Sequence, residues 1–128
     1  MRNKYYAKKL TTKDGVFDSQ KEYHCWWVLK RLQECGEIKN LHRHVKFVLI
    51  PTQYEIQRIE NDKGKRKEKK KVVERECCYV ADFVYTDNGS GEQKVVDVKS
   101  EITEKNKEFV IKRKLMLWAH NTKVEIWK

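Results

Sequence analysis

The sequence predicts a single α/β domain of the α+β kind, with a mixed central sheet flanked by helices in the order helix, strands, helix, strand. Apolar residues recur at helical spacing in two separated stretches, Cys25, Leu29 and Leu32, then Ile111, Leu115 and Trp118. Between them, and again after the second, runs rich in Val, Ile, Tyr and Phe carry strand character. The length of 128 residues suits one hydrophobic core rather than two.

Residues 1–15 are basic and polar and end in Lys13-Asp14-Gly15, the pattern of an N-terminal arm or a short hairpin. Ser19-Gln20-Lys21-Glu22 has the S-x-x-E form of a capping box and opens a helix from Ser19 to Cys35, which Gly36 closes as its C′ residue. Glu22 lies three residues before Cys25 and seven before Leu29, so it points along the buried side of that helix. Residues 37–41 read as a connector, and Val45 to Ile50 as a strand ended by Pro51. Gln53 to Glu60 alternates as a second strand, with Tyr54 and Ile56 on one face. Residues 61–71 are a charge run, read as an exposed basic loop at a hairpin tip. Its Lys65, Arg66 and Lys67 can serve phosphate or simply solvent. Val72 to Tyr85 returns to strand character, Ser100 to Asn106 is a polar junction, Lys107 to His120 is the second helix, and Lys123 to Trp127 closes the chain as a strand.

Charge narrows the partners. Lys plus Arg number 29 against 19 Asp plus Glu, a formal charge of +10 that suits a polyanion, nucleic acid first among them. The alternative is a basic but unspecialised surface. No apolar run reaches membrane-spanning length and no signal-peptide pattern opens the chain. Four cysteines without a CxxC, two of them adjacent, read as reduced thiols of a cytoplasmic protein. A zinc site from Cys25, Cys35, His42 and His44 matches no standard zinc spacing. His24, His42, His44 and His120 read as structural or surface residues.

The most informative stretch is the hairpin of Tyr79 to Tyr85 and Val95 to Lys99 about the turn Thr86 to Gln93. If the strands pair symmetrically about that turn, Asp82 faces Asp97, and Lys99 shares the face of Asp97. Like charges set directly opposite one another destabilise a sheet. A divalent cation resting on both carboxylates removes the conflict, and Mg²⁺ favours such oxygen ligands.

Asp82, then Asp97-Val98-Lys99 on the neighbouring strand, with Glu22 on a preceding helix, resembles the PD-(D/E)XK nuclease superfamily. Ala81 stands where that pattern nominally has proline. The phrases Phe17-Asp18-Ser19-x-Lys21-Glu22, Ile50-Pro51 and Tyr79-Val80-Ala81-Asp82-Phe83 are similar to a family of small phage and prophage endonucleases, some described as Holliday-junction resolvases. The resemblance implies a restriction-endonuclease-like core and a DNA endonuclease dependent on Mg²⁺, for which Mn²⁺ can substitute. Asp82, Asp97 and the Val98 backbone carbonyl would hold the metal, with Glu22 completing the shell directly or through water. Lys99 would orient or deprotonate the attacking water. Lys105, Lys107, Lys112, Arg113 and Lys114 on the second helix are the expected phosphate contacts. Double-stranded or branched DNA is the implied substrate, cut in phage recombination or replication, and paired nicks on opposed strands imply a homodimer. The contrasting reading is a basic nucleic-acid-binding module of the same fold without catalysis.

Overall fold

In a computed structural model, described here for residues 9–128, the chain is an α+β domain. Its elements in order are β1 (Leu10–Thr12), β2 (Gly15–Phe17), α1 (Gln20–Glu34), β3 (Ile38–Ile50), β4 (Gln53–Glu60), β5 (Arg66–Glu74), β6 (Cys77–Asp87), β7 (Gln93–Val98), α2 (Glu101–Glu104), α3 (Lys107–His120) and β8 (Val124–Trp127). The central sheet runs β3-β6-β7-β8. Its first three strands are antiparallel, and β8 returns parallel to β7 after the α3 crossover, which makes the sheet mixed. The N-terminal arm is a hairpin of β1 and β2 from residue 10 onward; residues 1–8 lie outside the described residues.

Local chemistry sets the ends of α1. Ser19 is extended, and its hydroxyl accepts the Glu22 N–H at 3.1 Å. The capping box is only half formed, because the Glu22 carboxylate bonds the N–H of Asp18 rather than that of Ser19. At the other end Gly36, at φ +81°, donates to the Gln33 carbonyl while Glu37 donates to that of Leu32. These two bonds form a Schellman motif. Gly36→Ala is therefore expected to cost about 1 kcal/mol, the penalty of a side chain in left-handed backbone, seen as a lowered midpoint in urea unfolding with unchanged slope.

Two apolar layers sandwich the sheet. Phe17, Cys25, Leu29, Ile38, Phe83 and Val96 form the α1 side. Leu49, Tyr79, Ala81, Val84, Val95, Phe109, Met116 and Val124 form the α3 side. The α3 packing corrects one expectation. Phe109 and Met116 face the sheet, while Ile111 and Trp118 are exposed, Trp118 to 82%. Both pairs are spaced i, i+7, so periodicity marks two stripes and cannot say which one the crossover turns inward.

Three boundaries also differ. The connector at residues 37–41 is the start of β3, admitted by an irregularity between Lys39 and His42 and by positive φ at Asn40 and His44. The polar junction holds a one-turn helix, α2, closed by a reciprocal Ser100/Thr103 capping box. Most of the basic run 61–71 is strand β5, paired along β4; only residues 61–65 form the tip. Its residues are nonetheless all exposed, so Lys65 at the tip and Arg66 and Lys67 on β5 remain available to an anion.

Candidate functional site

Four residue pairs fix the β6–β7 register, Phe83 with Val96, Val84 with Val95, Tyr85 with Lys94 and Thr86 with Gln93. The turn keeps that register: Asp87 N–H bonds the Glu92 carbonyl, and the Asp87 carboxylate accepts from Gly89 N–H and Ser90 Oγ. One further step sets Asp82 against Asp97, but the backbone ladder ends before it. Val98 N–H instead donates to Asp82 Oδ2 at 2.8 Å. On the other flank, the pairing with β3 runs from Phe83–Arg43 to Ala81–Val45 and omits Asp82. His44, which faces that gap, has φ +50°. Side-chain alternation breaks at the same point, since Ala81 belongs to the α3 layer and Phe83 to the α1 layer. Asp82 thus sits at an interruption of the sheet, a place where function commonly resides.

The electrostatics of the pair follow from burial. Asp97 is 3% exposed. Burial, then the hydrogen bond and charge of Asp97, push the pKa of Asp82 up to about 9, against the opposing pull of the Val98 N–H and with a smaller contribution from Glu22. At neutral pH Asp82 therefore holds a proton beside Asp97. Beneath them, burial and the charges of Asp82 and Glu22 push the Cys25 thiol up to about 12, which leaves it neutral and unreactive. Tyr79 is buried alongside, its hydroxyl without a hydrogen-bond partner of good geometry, and burial and Asp97 raise its pKa. Lys99 closes the group: its Nζ lies 3.4 Å from Asp97 Oδ2 and 4.7 Å from the centre of the Phe109 ring. The Lys99 N–H continues the parallel pairing by donating to the Trp127 carbonyl.

Glu22 reaches the same region from α1, and it is buried as the helical stripe predicts. Its oxygens are already engaged. Oε2 accepts from Asp18 N–H at 3.1 Å, while Oε1 lies 3.2 Å from His44 Nε2 and 3.9 Å from Arg43 Nη2. Arg43 is itself clamped, with Nη2 on the Val16 carbonyl and its guanidinium 3.7 Å from the centre of the Phe17 ring. Sequence reasoning missed Asp18, which meets Glu22 locally at the start of α1, and Arg43 and His44, which reach it from β3. Asp18, Glu22 and His44 form the one group of three among the described residues whose potential ligand atoms lie within 4.8 Å of one another. The cysteines are free, with Cys25 buried and Cys35 exposed, and they form no such group with His42 and His44.

A cleft of about 760 Å³ joins these parts. Glu22, Asp82, Asp97, Val98 and Lys99 all line it, together with Tyr79, and Lys21 and Lys112 stand on its wall. The expected basic helix divides. Lys112 faces the cleft and pairs with Glu108 at 3.1 Å, whereas Arg113 and Lys114 line a separate hollow against β8. Lys105 and Lys107 are exposed beyond the cleft lining. Lys21, one residue before Glu22, was not anticipated as a cleft residue.

The donor set fits a hard divalent cation. It consists of oxygen atoms from two neighbouring carboxylates, of which Asp82 is kept protonated by burial first and by Asp97 second, and a cation could replace that proton. The Val98 N–H points to Asp82, and in a strand the carbonyl of the same residue emerges on the same side, toward the pair. A family model described as "Protein of unknown function (DUF1064)" matches residues 2–127. The chain belongs to this family. No curated protein and no solved structure matches the chain. The cleft, its acidic pair and Lys99 therefore lie within the span that defines the family. No helix among the described residues is long and apolar enough to cross a membrane.

Proposed function

We propose that the protein is a Mg²⁺-dependent DNA endonuclease built on a restriction-endonuclease-like core, acting on branched or otherwise structured DNA. The observation that carries this reading is the Asp82/Asp97 pair, half-buried Asp82 beside buried Asp97 at a break in the sheet, with Lys99 against it. A carboxylate driven by its surroundings to hold a proton weakens the fold, and a cation-assisted reaction is the economical reason to keep Asp82 beside Asp97.

Asp82, Asp97 and the Val98 carbonyl would hold the ion. When bound, it neutralises charge at the scissile phosphate and at the leaving oxygen. Lys99, fixed by Asp97 and the Phe109 face, presents N–H donors that orient the attacking water and stabilise charge gathering on the phosphoryl oxygens. Glu22, with its oxygens held by Asp18, His44 and Arg43, contributes through water. Lys21 and Lys112 border the cleft and suit the flanking phosphates. A four-way junction would be cut by two copies, one for each strand. The alternative, a binding module that does not cleave, draws on the +10 charge alone and leaves the acidic pair without a purpose.

The test is incubation with labelled four-way junction, flap, linear duplex and single-stranded DNA in Mg²⁺, Mn²⁺ or EDTA. Cleavage of branched substrates with either metal and none in EDTA is expected. Binding without cleavage of any substrate in either metal would replace the enzyme with the binding module.

A further inference from the structure

The β4–β5 hairpin stands apart from the rest of the fold. Its strands of eight and nine residues pair with each other and with no other strand among the described residues. Every residue of β5 is exposed, and so is every residue of β4 except Gln57. At about 3.3 Å per residue the arm reaches some 26 Å. Its tip is well specified: Asn61 Oδ1 accepts the N–H groups of Lys63 and Lys65, and Gly64 takes φ +76°. The arm follows the β3–β6 ladder past Pro51 and leaves it at the Ile50–Cys77 pair, one residue from Cys78, which lines the cleft. A two-stranded ribbon without a core is marginally stable alone, so a long exposed one is built for a partner.

Its two faces differ chemically. Directly paired residues share a face. On one face Lys70 lies over the Tyr54 ring at 5.5 Å, and Arg58 pairs with Glu68 at 3.9 Å. Tyr54 is paired with Val72 and Glu60 with Arg66 on this same face, so its cations are largely matched. On the other face Lys67, Lys69 and Lys71 are opposed by Ile59, Gln57 and Glu55. Lys71 thus has an acidic residue opposite it, as Arg66 does, whereas Lys67 and Lys69 face uncharged residues and form no ion pair among the described residues. The three lysines recur every second residue, about 7 Å apart, on the scale of successive phosphates along one nucleic-acid strand.

We propose that this lysine face, led by Lys67 and Lys69, grips the phosphodiester backbone of the duplex that enters the cleft, and that the opposite face of the arm does not. The inference rests on the nucleic-acid substrate proposed above and adds to it a second, non-catalytic contact. Charge complementarity selects this occupant, because the unmatched Lys67 and Lys69 gain from releasing the counterions of a polyanion.

The test compares two charge-matched double variants, Lys67→Ala/Lys69→Ala on the lysine face and Arg58→Ala/Lys70→Ala on the other. Fluorescence anisotropy with a labelled linear duplex in EDTA reads binding without turnover, across a salt series. The first variant should weaken binding and make the slope of log K against log salt shallower by about 1.8, at about 0.9 for each phosphate no longer neutralised. The second should leave the slope close to that of the wild type, and both should keep the wild-type melting temperature. Equal weakening by the two variants, no weakening by either, or no duplex binding by the wild type would overturn the proposal. So would binding to phosphatidylserine vesicles that matches duplex binding and falls in the same variant. Absence of cleavage, with the face-specific slope change intact, would remove the nuclease but leave the arm contact standing.

Discussion

Asp82→Asn is expected to raise the melting temperature of the metal-free protein at pH 8 while abolishing metal-dependent cleavage. Asp82 titrates at about 9 in the fold, against an ordinary value of 3.8. The folded state therefore binds a proton that the unfolded chain has released, and between about pH 4 and pH 9 stability falls as pH rises. Asparagine has no charge to lose and can still accept the Val98 N–H, so the variant should show a flatter pH profile. A gain of at least about 4 °C is expected at pH 8, the shift that about 1 kcal/mol brings in a domain of this size. Mg²⁺ should reverse the order. A cation at 100 times its dissociation constant stabilises the wild type by about 2.7 kcal/mol, and the variant forgoes most of that gain. Differential scanning fluorimetry over pH, with EDTA or Mg²⁺, reads both effects. A variant that melts lower in EDTA at every pH would show that the pair is not repulsive.

The second large effect belongs to Lys99. Lys99→Met keeps most of the apolar stem and removes the ammonium that lies over Phe109 and beside Asp97. Under single-turnover conditions the cleavage rate should fall by about 10²–10⁴-fold, the range for a residue that positions or transfers a proton in the transition state. Affinity for DNA in EDTA should stay within a few-fold, because one lysine at the base of a cleft adds little to a protein of charge +10. A loss confined to affinity, with the bound complex cleaving normally, would recast Lys99 as a phosphate anchor.

What was legible in the sequence was what local chemistry decides. Ser19 and Gly36 bracket α1 because capping depends on neighbours within a turn, and the stripe that buried Cys25 and Leu29 also placed Glu22 inward. The register of β6 and β7 followed from turn symmetry, and with it the meeting of Asp82, Asp97 and Lys99. What stayed hidden depends on long-range packing. Nothing in His44 announces a positive φ, yet that kink brings His44 and Arg43 onto Glu22. The lysines of β5 resemble a solvated loop until the cross-strand partners in β4 are known. The inward face of α3 was misjudged because Ile111 and Trp118 match the spacing of Phe109 and Met116, and only the β7–α3–β8 crossover selects between them.

Asp97 is the buried residue on which the site converges, in contact with Lys99 and beside Asp82. The most direct measurement is single-turnover cleavage of a labelled four-way junction in Mg²⁺ by the wild type and by Asp97→Ala, at protein concentrations that saturate binding for both. The wild type should cleave and Asp97→Ala should leave the junction intact while still binding it. Cleavage by the variant at the wild-type rate would contradict the assignment of this cleft as the catalytic site.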